Sequence, residues 1–397
     1  MSDVLFLAWH YLRAHRLQTL ILGLAVALTL AIPASLWVVS QQGERSLTRR
    51  AEQTPILIGS RGSPLELVLN SLYFRTQVPQ SLPFRESLQV QQSGLATAIP
   101  LYVRFRSQEH AIVGTTLDYF RMRSFRVGQG TAFQRLGDCV VGTRVARMRN
   151  VGPGDSLTST PEQAFDVGGV YPLKMRVVGV LDPTGTPDDD AIFVDIKTAW
   201  VIEGLGHGHQ DLTTPDVAPA AVLSREQGHV TAKGNAVPAY QEITDANLDS
   251  FHFHGDLAAF PITSVIAMPK DEKSATRLLG RYQSAESRLQ AVEPVRVLQE
   301  LLQTVVSVRS YALAALAMVA VVTAGLLVLI QALSLRLRER ERRTLVQIGA
   351  STGRIRGMIL AEAAGVLTFG LILAAALTGL FAQFGAQAVQ LWLTRGT

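Results

Sequence analysis

Cysteine is nearly missing from this sequence: Cys139 is the only one among 397 residues. That excludes an intrachain disulfide and a cysteine-rich zinc knuckle. An exported domain without disulfides has to hold together through its apolar core, which takes a long segment. The phosphate-binding pattern G-x-x-x-x-G-K-[ST] is also absent, so no ATPase is expected within the chain. Nucleophilic catalysis finds little support, because no Ser-His-Asp set carries a nucleophile motif, and the chain is not read as an enzyme. The net charge of +5 could suggest nucleic acid, but its location argues otherwise. Seven arginines, from Arg336 to Arg356, crowd one segment directly against an apolar block, which is the pattern of a membrane topology signal. Nucleic acid is therefore not an expected partner.

What the sequence does have is long uncharged runs. Apolar residues make up 48% of the chain and concentrate in three blocks. Leu17–Val39 is interrupted only by Gln18, small hydroxyl residues and Pro33; Tyr311–Leu335 carries no charge; Met358–Phe384 has Glu362 near its start. At about 1.5 Å per residue, each is long enough to cross a hydrocarbon core about 30 Å thick. The first block exceeds the usual about 7–15 residues of a signal-peptide core, so it is read as a retained anchor. The expected fold class is a membrane protein with three visible α-helical transmembrane spans and a large mixed α/β extracytoplasmic domain. Seven arginines against Glu339 and Glu341 place the 336–357 loop in the cytoplasm. The order that follows is a cytoplasmic segment at 1–16, spans at 17–39, 311–335 and 358–384, and an extracytoplasmic stalk and domain at 40–305. A tail at 385–397 would emerge outside.

Within 40–305, residues 40–55 read as a helical continuation of the first span, ending near Pro55. Ser63 as N-cap and Pro64 at the first helical position open a short amphipathic helix with Leu65, Leu69 and Leu72 at helical spacing. From about 96 to 200 the pattern is short strands separated by turns: ATAIPLYVRF, HAIVGTTL, GDCVVGT, MRVVGVL and AIFVDI. Asp188, Asp189 and Asp190 lack the spacing of a calcium loop and are read as a solvated turn. Another strand is expected at 262–268, and 271–305 reads as one helix feeding the second span.

The segment RLRERERRTLVQIGASTGRIRGMILAE, 336–362, resembles the cytoplasmic loop of MacB/FtsX/LolCE-type ABC permeases. Gly114-Thr-Thr-Leu-Asp-Tyr-Phe120, Val140–Ala146 and Val151–Asp155 resemble segments of that family's exported domain. The layout of one span, an exported domain and the remaining spans is also similar, although the family normally has four spans and this chain shows three. The resemblance implies a MacB-like periplasmic core in the bacterial inner membrane. It also implies a separate ABC ATPase subunit holding ATP and Mg, and a dimer with a second permease copy or a paralogue. Arg342, Arg343, Leu345, Val346, Ile348, Gly349, Ala350, Arg354, Arg356 and Glu362 match the part that would couple to the ATPase. The arginines there could form bidentate pairs with a partner. ATP-driven motion of the spans would then move the exported domain. That domain would act on a lipoprotein, hydrophobic compound, peptide, haem or divalent-metal cargo, with a periplasmic substrate-binding protein or lipoprotein as a further partner. The alternatives are a non-transport transmitter that activates a periplasmic hydrolase or sensor, and an anchored metal-binding receptor.

Five of the eight histidines fall between 207 and 254. His207-Gly-His209-Gln-Asp211 and His252-Phe-His254-Gly-Asp256 share an H-x-H-x-D spacing, with His229 between them. In extended chain, that spacing points both imidazoles and the carboxylate to one side. Neutral imidazoles with a carboxylate suit Zn²⁺, Cu²⁺ or Ni²⁺. The competing reading is a polar, glycine-containing surface loop in which histidines are tolerated.

Overall fold

The computed structural model describes residues 2–75, 78–161, 172–208, 222–226, 229–232, 240–283, 287–337, 339–347 and 350–395. The chain divides into two compact units, Met1–Leu47 with Glu300–Thr397, and Thr48–Gln299.

The Thr48–Gln299 unit is organised by one mixed sheet of eleven strands among the described residues. Its main path runs Gln241–Glu242, Leu173–Leu181, Asp138–Val141, Ala191–Asp195, His110–Thr115, Ala96–Ser107, Ser264–Pro269, Ile56–Ser60 and Leu289–Val292. Val127–Gly130 and Ser156–Thr158 also pair with Leu173–Leu181. Three pairings are parallel: Ala191–Asp195 on His110–Thr115, and both Asp138–Val141 and Gln241–Glu242 on Leu173–Leu181. The other pairings in this sheet are antiparallel.

Successive strand residues point to opposite faces, and here both faces are buried. Ile56, Ile58, Tyr102, Ile112, Cys139, Val141, Ile192, Val194 and Val265 belong to one apolar cluster. Their neighbours Leu57, Leu101, Val103, Val113, Val140, Phe193 and Ile266 belong to the other. Strands covered on both sides lose the apolar–polar alternation and read as continuous apolar runs, as AIFVD does. Helix Ile196–Ile202, with Trp200, and helix Arg85–Gln92, with Val90, contribute to the first cluster. Helices Pro64–Tyr73 and Leu117–Arg123 contribute Leu67, Val68, Leu72, Tyr119 and Phe120 to the second.

Helix Pro64–Tyr73 starts where the sequence predicts. The Ser63 hydroxyl accepts from the Glu66 amide, and Pro64 occupies the first turn. Its buried stripe is rotated from the predicted one: Leu67, Val68, Ser71 and Leu72 are buried, while Leu65 and Leu69 are half-buried. The expected single helix over 271–305 is also corrected. Helix Glu272–Arg281 ends, strand Leu289–Val292 pairs with Ile56–Ser60, and a new helix starts at Pro294. The edge of the sheet offers Leu289–Val292 backbone partners, and Pro294 is suited to a first helical turn because it has no amide hydrogen to satisfy.

The Met1–Leu47 and Glu300–Thr397 unit is helical. Its described elements are Ser2–Ala14, most of Arg16–Glu52 and of Pro294–Leu337, Glu339–Gln347 and Thr352–Arg395. Among the described residues, three stretches are long and apolar enough to cross a membrane: Arg16–Gln41, Ser310–Ile330 and Thr352–Phe384. The last helix continues to Arg395, through the stretch expected as a tail. Small residues allow the first and third of these helices to approach closely. A Cβ at Gly370 would lie 2.7 Å from Val26 Cβ and 3.0 Å from the Gly23 carbonyl oxygen, and Ala27, Ala31 and Ala374 form a buried cluster beside them. Gly23, Ala27 and Ala31 recur every four residues, a spacing that aligns small residues on one face and lets two backbones come together.

Candidate functional site

The two H-x-H segments meet only in part. Gly206–His207 pairs antiparallel with His252–Phe253, setting His207 directly opposite His252. His254, two residues on, lies on the same face as His252. The three imidazoles come together: one ring nitrogen from each lies within 4.8 Å of the others, and the ring centroids are 4.6–5.0 Å apart.

The reason is written into the alternating sequence Phe251-His252-Phe253-His254. The two phenylalanines pack against the apolar core, and Phe253 makes edge contacts with Trp200 and Phe260. The intervening histidines then face the other way. Glycines flank His207 because the phenylalanine rings occupy the space: a Cβ at Gly206 would lie 2.6 Å from Phe253, and one at Gly208 would lie 2.5 Å from Phe251. His252 Nδ1 sits 3.0 Å from the Ser250 carbonyl. A carbonyl can only accept, so this nitrogen carries the hydrogen and, in the neutral ring, the lone pair is on Nε2. His207 and His252 are half-buried and His254 is exposed, so the group is accessible from solvent.

The remaining predicted members lie elsewhere. Asp256 is not part of the group: its Oδ1 accepts from the Ala258 amide and caps a short 3₁₀ turn. His209 and Asp211 lie outside the described residues, and His229 is placed only by its backbone, in strand His229–Ala232.

A second cluster escapes sequence reading altogether. Arg50, in the last turn of Arg16–Glu52, is 4% exposed and forms a two-pronged ion pair with Asp188, which is 1% exposed. Arg50 Nη2 also donates to the Tyr119 hydroxyl at 2.8 Å, and the guanidinium stacks 5.2 Å over Phe74. Tyr119 and Thr186 donate their hydroxyls to the same carboxylate, at 3.0 and 2.7 Å. Burial would raise the Asp188 carboxyl, but the charge and hydrogen bonds of Arg50 outweigh it and hold the group below its ordinary value. Burial likewise opposes the charge on Arg50, and Tyr119 and Asp188 more than offset it. The solvated-turn reading of Asp188–Asp190 is thereby corrected. Asp188 faces inward, Asp189 accepts from Thr184 and Gly185, and Asp190 pairs with buried His110 at 2.9 Å.

The arginine-rich segment carries Arg342, Arg343, Leu345 and Val346 on helix Glu339–Gln347, with an Arg343–Glu339 ion pair at 2.8 Å. Val346 is exposed. Ile348 and Gly349 lie outside the described residues, and Ala350 is half-buried. Arg354 and Arg356 are exposed in the first turns of Thr352–Arg395, while Ile355 between them and Glu362 are buried. The letters Gly349-Ala350-Ser351-Thr352-Gly353 spell G-x-S-x-G, yet Ser351 lies between two helices and its hydroxyl accepts from the Arg354 amide at 3.4 Å. That is a helix start, not the strand-to-helix elbow a catalytic serine needs.

With this geometry in place, the family assignment follows. Residues 19–241 match the model of the MacB-like periplasmic core domain. The chain belongs to this family. It is a MacB/FtsX-type ABC transporter permease, a family that works with ABC ATPase partners. The MacB-like domain and its apolar helices fit an inner-membrane protein with a periplasmic domain. No curated protein matches the chain. The chain is also similar to solved structures, two among them being exported regions of transporters. The periplasmic region of MacB from Actinobacillus actinomycetemcomitans is 11% identical, with 62% of this chain and 92% of that one covered and a TM-score of 0.34. The extracellular domain of the noncanonic ABC-type transporter YknZ from Gram-positive bacteria is 13% identical, with 60% and 98% covered and a TM-score of 0.32.

Proposed function

We propose that this MacB-like permease couples ATP hydrolysis on a separate nucleotide-binding subunit to motion of its extracytoplasmic α/β unit, which handles the cargo. The carrying observation is the surface between the second and third apolar helices. An exposed Val346 sits on helix Glu339–Gln347, and the exposed Arg354 and Arg356 follow at the start of the next helix. An exposed apolar side chain among guanidiniums suits a protein partner. The valine can insert into a pocket while the arginines make planar, two-pronged bonds to carboxylates. Seven arginines within 336–356 favour the cytoplasmic side for this segment, which sends the α/β unit to the opposite side. Arg342, Leu345, Ile348, Gly349 and Glu362 belong to the same coupling region in this reading. A second permease copy or paralogue completes a two-fold assembly. ATP and Mg belong to the partner.

The test is affinity co-purification of the full-length protein from membranes, comparing wild type with Leu345→Asp plus Val346→Asp. Recovery of an ABC ATPase with wild type but not with the variant supports coupling through this helix. Equal recovery removes the segment from the coupling role. No ATPase with either, from folded protein, favours an anchored receptor.

A further inference from the structure

We propose that His207, His252 and His254 form a binding site for one divalent transition-metal ion of the Zn²⁺, Cu²⁺ or Ni²⁺ class on the α/β unit. The site rests on the geometry of these three residues and stands apart from the coupling mechanism.

Three features carry it. The first is placement by backbone register. His207 and His252 are directly opposed partners of an antiparallel pair, and His254 is the next residue on that face. The second is distance. The candidate ligand nitrogens lie within 4.8 Å of one another. A tetrahedral ion with Zn–N bonds of about 2.0–2.1 Å needs its nitrogens about 3.3 Å apart, so each ring has to move inward by less than ~1 Å. Small side-chain rotations supply that without moving the strands. The third is the surrounding shell. Metal-ligating histidines usually donate their other ring nitrogen to a carbonyl or carboxylate, which fixes the tautomer and aims the lone pair. The His252 Nδ1 to Ser250 carbonyl contact at 3.0 Å is that arrangement. Behind it, Phe251 and Phe253 are anchored on the Trp200 and Phe260 side of the core, so the histidine-bearing strand has a fixed backing.

The donor set decides the class of ion. Among the described residues the donor set is three imidazoles, which suit borderline transition metals, whereas Ca²⁺ and Mg²⁺ require oxygen ligands. Among the described residues three side chains supply ligands, which leaves a fourth tetrahedral position for another donor, as in exchangeable and reactive zinc sites. With His254 exposed, water or a donor atom from an incoming molecule can reach that position.

The experiment uses tag-free, full-length protein in detergent, stripped with chelator and titrated with Zn²⁺, and separately with Co²⁺ as a spectroscopic probe. One Zn²⁺ per chain is expected, together with the intense visible bands of tetrahedral Co²⁺. Loss of an outer-shell partner alone typically weakens metal binding by about 10–100-fold. His252→Ala or His254→Ala removes a direct ligand and should weaken binding by at least about tenfold, and the double variant should abolish it. The control, His10→Gln with His15→Gln, should bind as wild type. His254→Ala is the safest single test because that side chain is exposed. The folding of each variant is checked in metal-free buffer by the protection of Cys139 from thiol reagents, since that thiol is buried. Unchanged stoichiometric binding in the folded double variant would assign the metal to other histidines and overturn the proposal. So would the absence of saturable binding to wild type.

Discussion

Replacing Asp188 by alanine should unfold the α/β unit at a distinctly lower temperature, and the size of the effect follows from what is left behind. The carboxylate takes both prongs of the Arg50 guanidinium and the hydroxyls of Tyr119 and Thr186 in a site with almost no solvent access. Removing one member of a buried pair strands the other charge, at a cost of about 3–5 kcal/mol. A unit the size of Thr48–Gln299 loses about 2 °C of midpoint for each kcal/mol, so the expected shift is about 6–10 °C. Removing the ion pair together with the tyrosine hydroxyl is different. Arg50→Met, Asp188→Leu and Tyr119→Phe together leave no buried charge and no unmatched tyrosine hydroxyl, and apolar replacements of buried ion pairs are often neutral or better. The triple variant should therefore recover most of what the single variant loses. Cys139 supplies the assay: it is the only thiol in the chain and is fully buried in a central strand, and burial pushes its ionisation upward, so it reacts only when the unit opens. Thiol labelling against temperature then reports the opening of this unit directly. A shift below about 2 °C for Asp188→Ala would show that the pair is not holding the fold, and a triple variant less stable than the single would refute the stranded-charge argument.

The same pair sets a pH dependence. Because the folded Asp188 carboxyl is held below its ordinary value, the stabilisation it supplies is complete above about pH 4 and is lost as pH falls through the folded-state value. The gap in unfolding midpoint between wild type and Asp188→Asn, followed by near-ultraviolet circular dichroism, should be constant from pH 8 to about 4.5 and narrow below that. In the helical unit, Gly370→Val adds a side chain whose Cβ alone would lie 2.7 Å from Val26 and 3.0 Å from the Gly23 carbonyl. It should cost about 1–3 kcal/mol by overpacking, seen as lower yield and earlier aggregation in detergent, whereas Gly379→Val, which meets nothing within 4 Å, should behave as wild type.

How much of this was legible in the sequence depended on whether a signal was local. The central strands were readable because short runs of three or four consecutive apolar residues bounded by turns have few other uses, and segments such as AIFVD and HAIVGT do lie in the sheet. Ser63 and Pro64 marked a helix start because capping is decided within four residues. The pairing of His252 with His254 on one face was readable from the period of an extended chain. The neighbouring aspartate misled, since Asp256 follows a turn at Gly255, with φ of 99°, that ends the alternation. Reading 271–305 as one helix failed because Leu289–Val292 is recruited by a strand more than two hundred residues earlier, and no local propensity records that partner. Arg50 and Asp188 were hidden for the same reason. Each has an ordinary local reading, as a helix-terminal cation and as one of three aspartates in a turn. Only the fold reveals that residues 138 positions apart share one buried site. Long-range ion pairs of this kind leave no spacing in the sequence. The three-histidine group left half of one: the His252 and His254 side was predictable, while its third member was fixed by strand register that only the assembled sheet supplies.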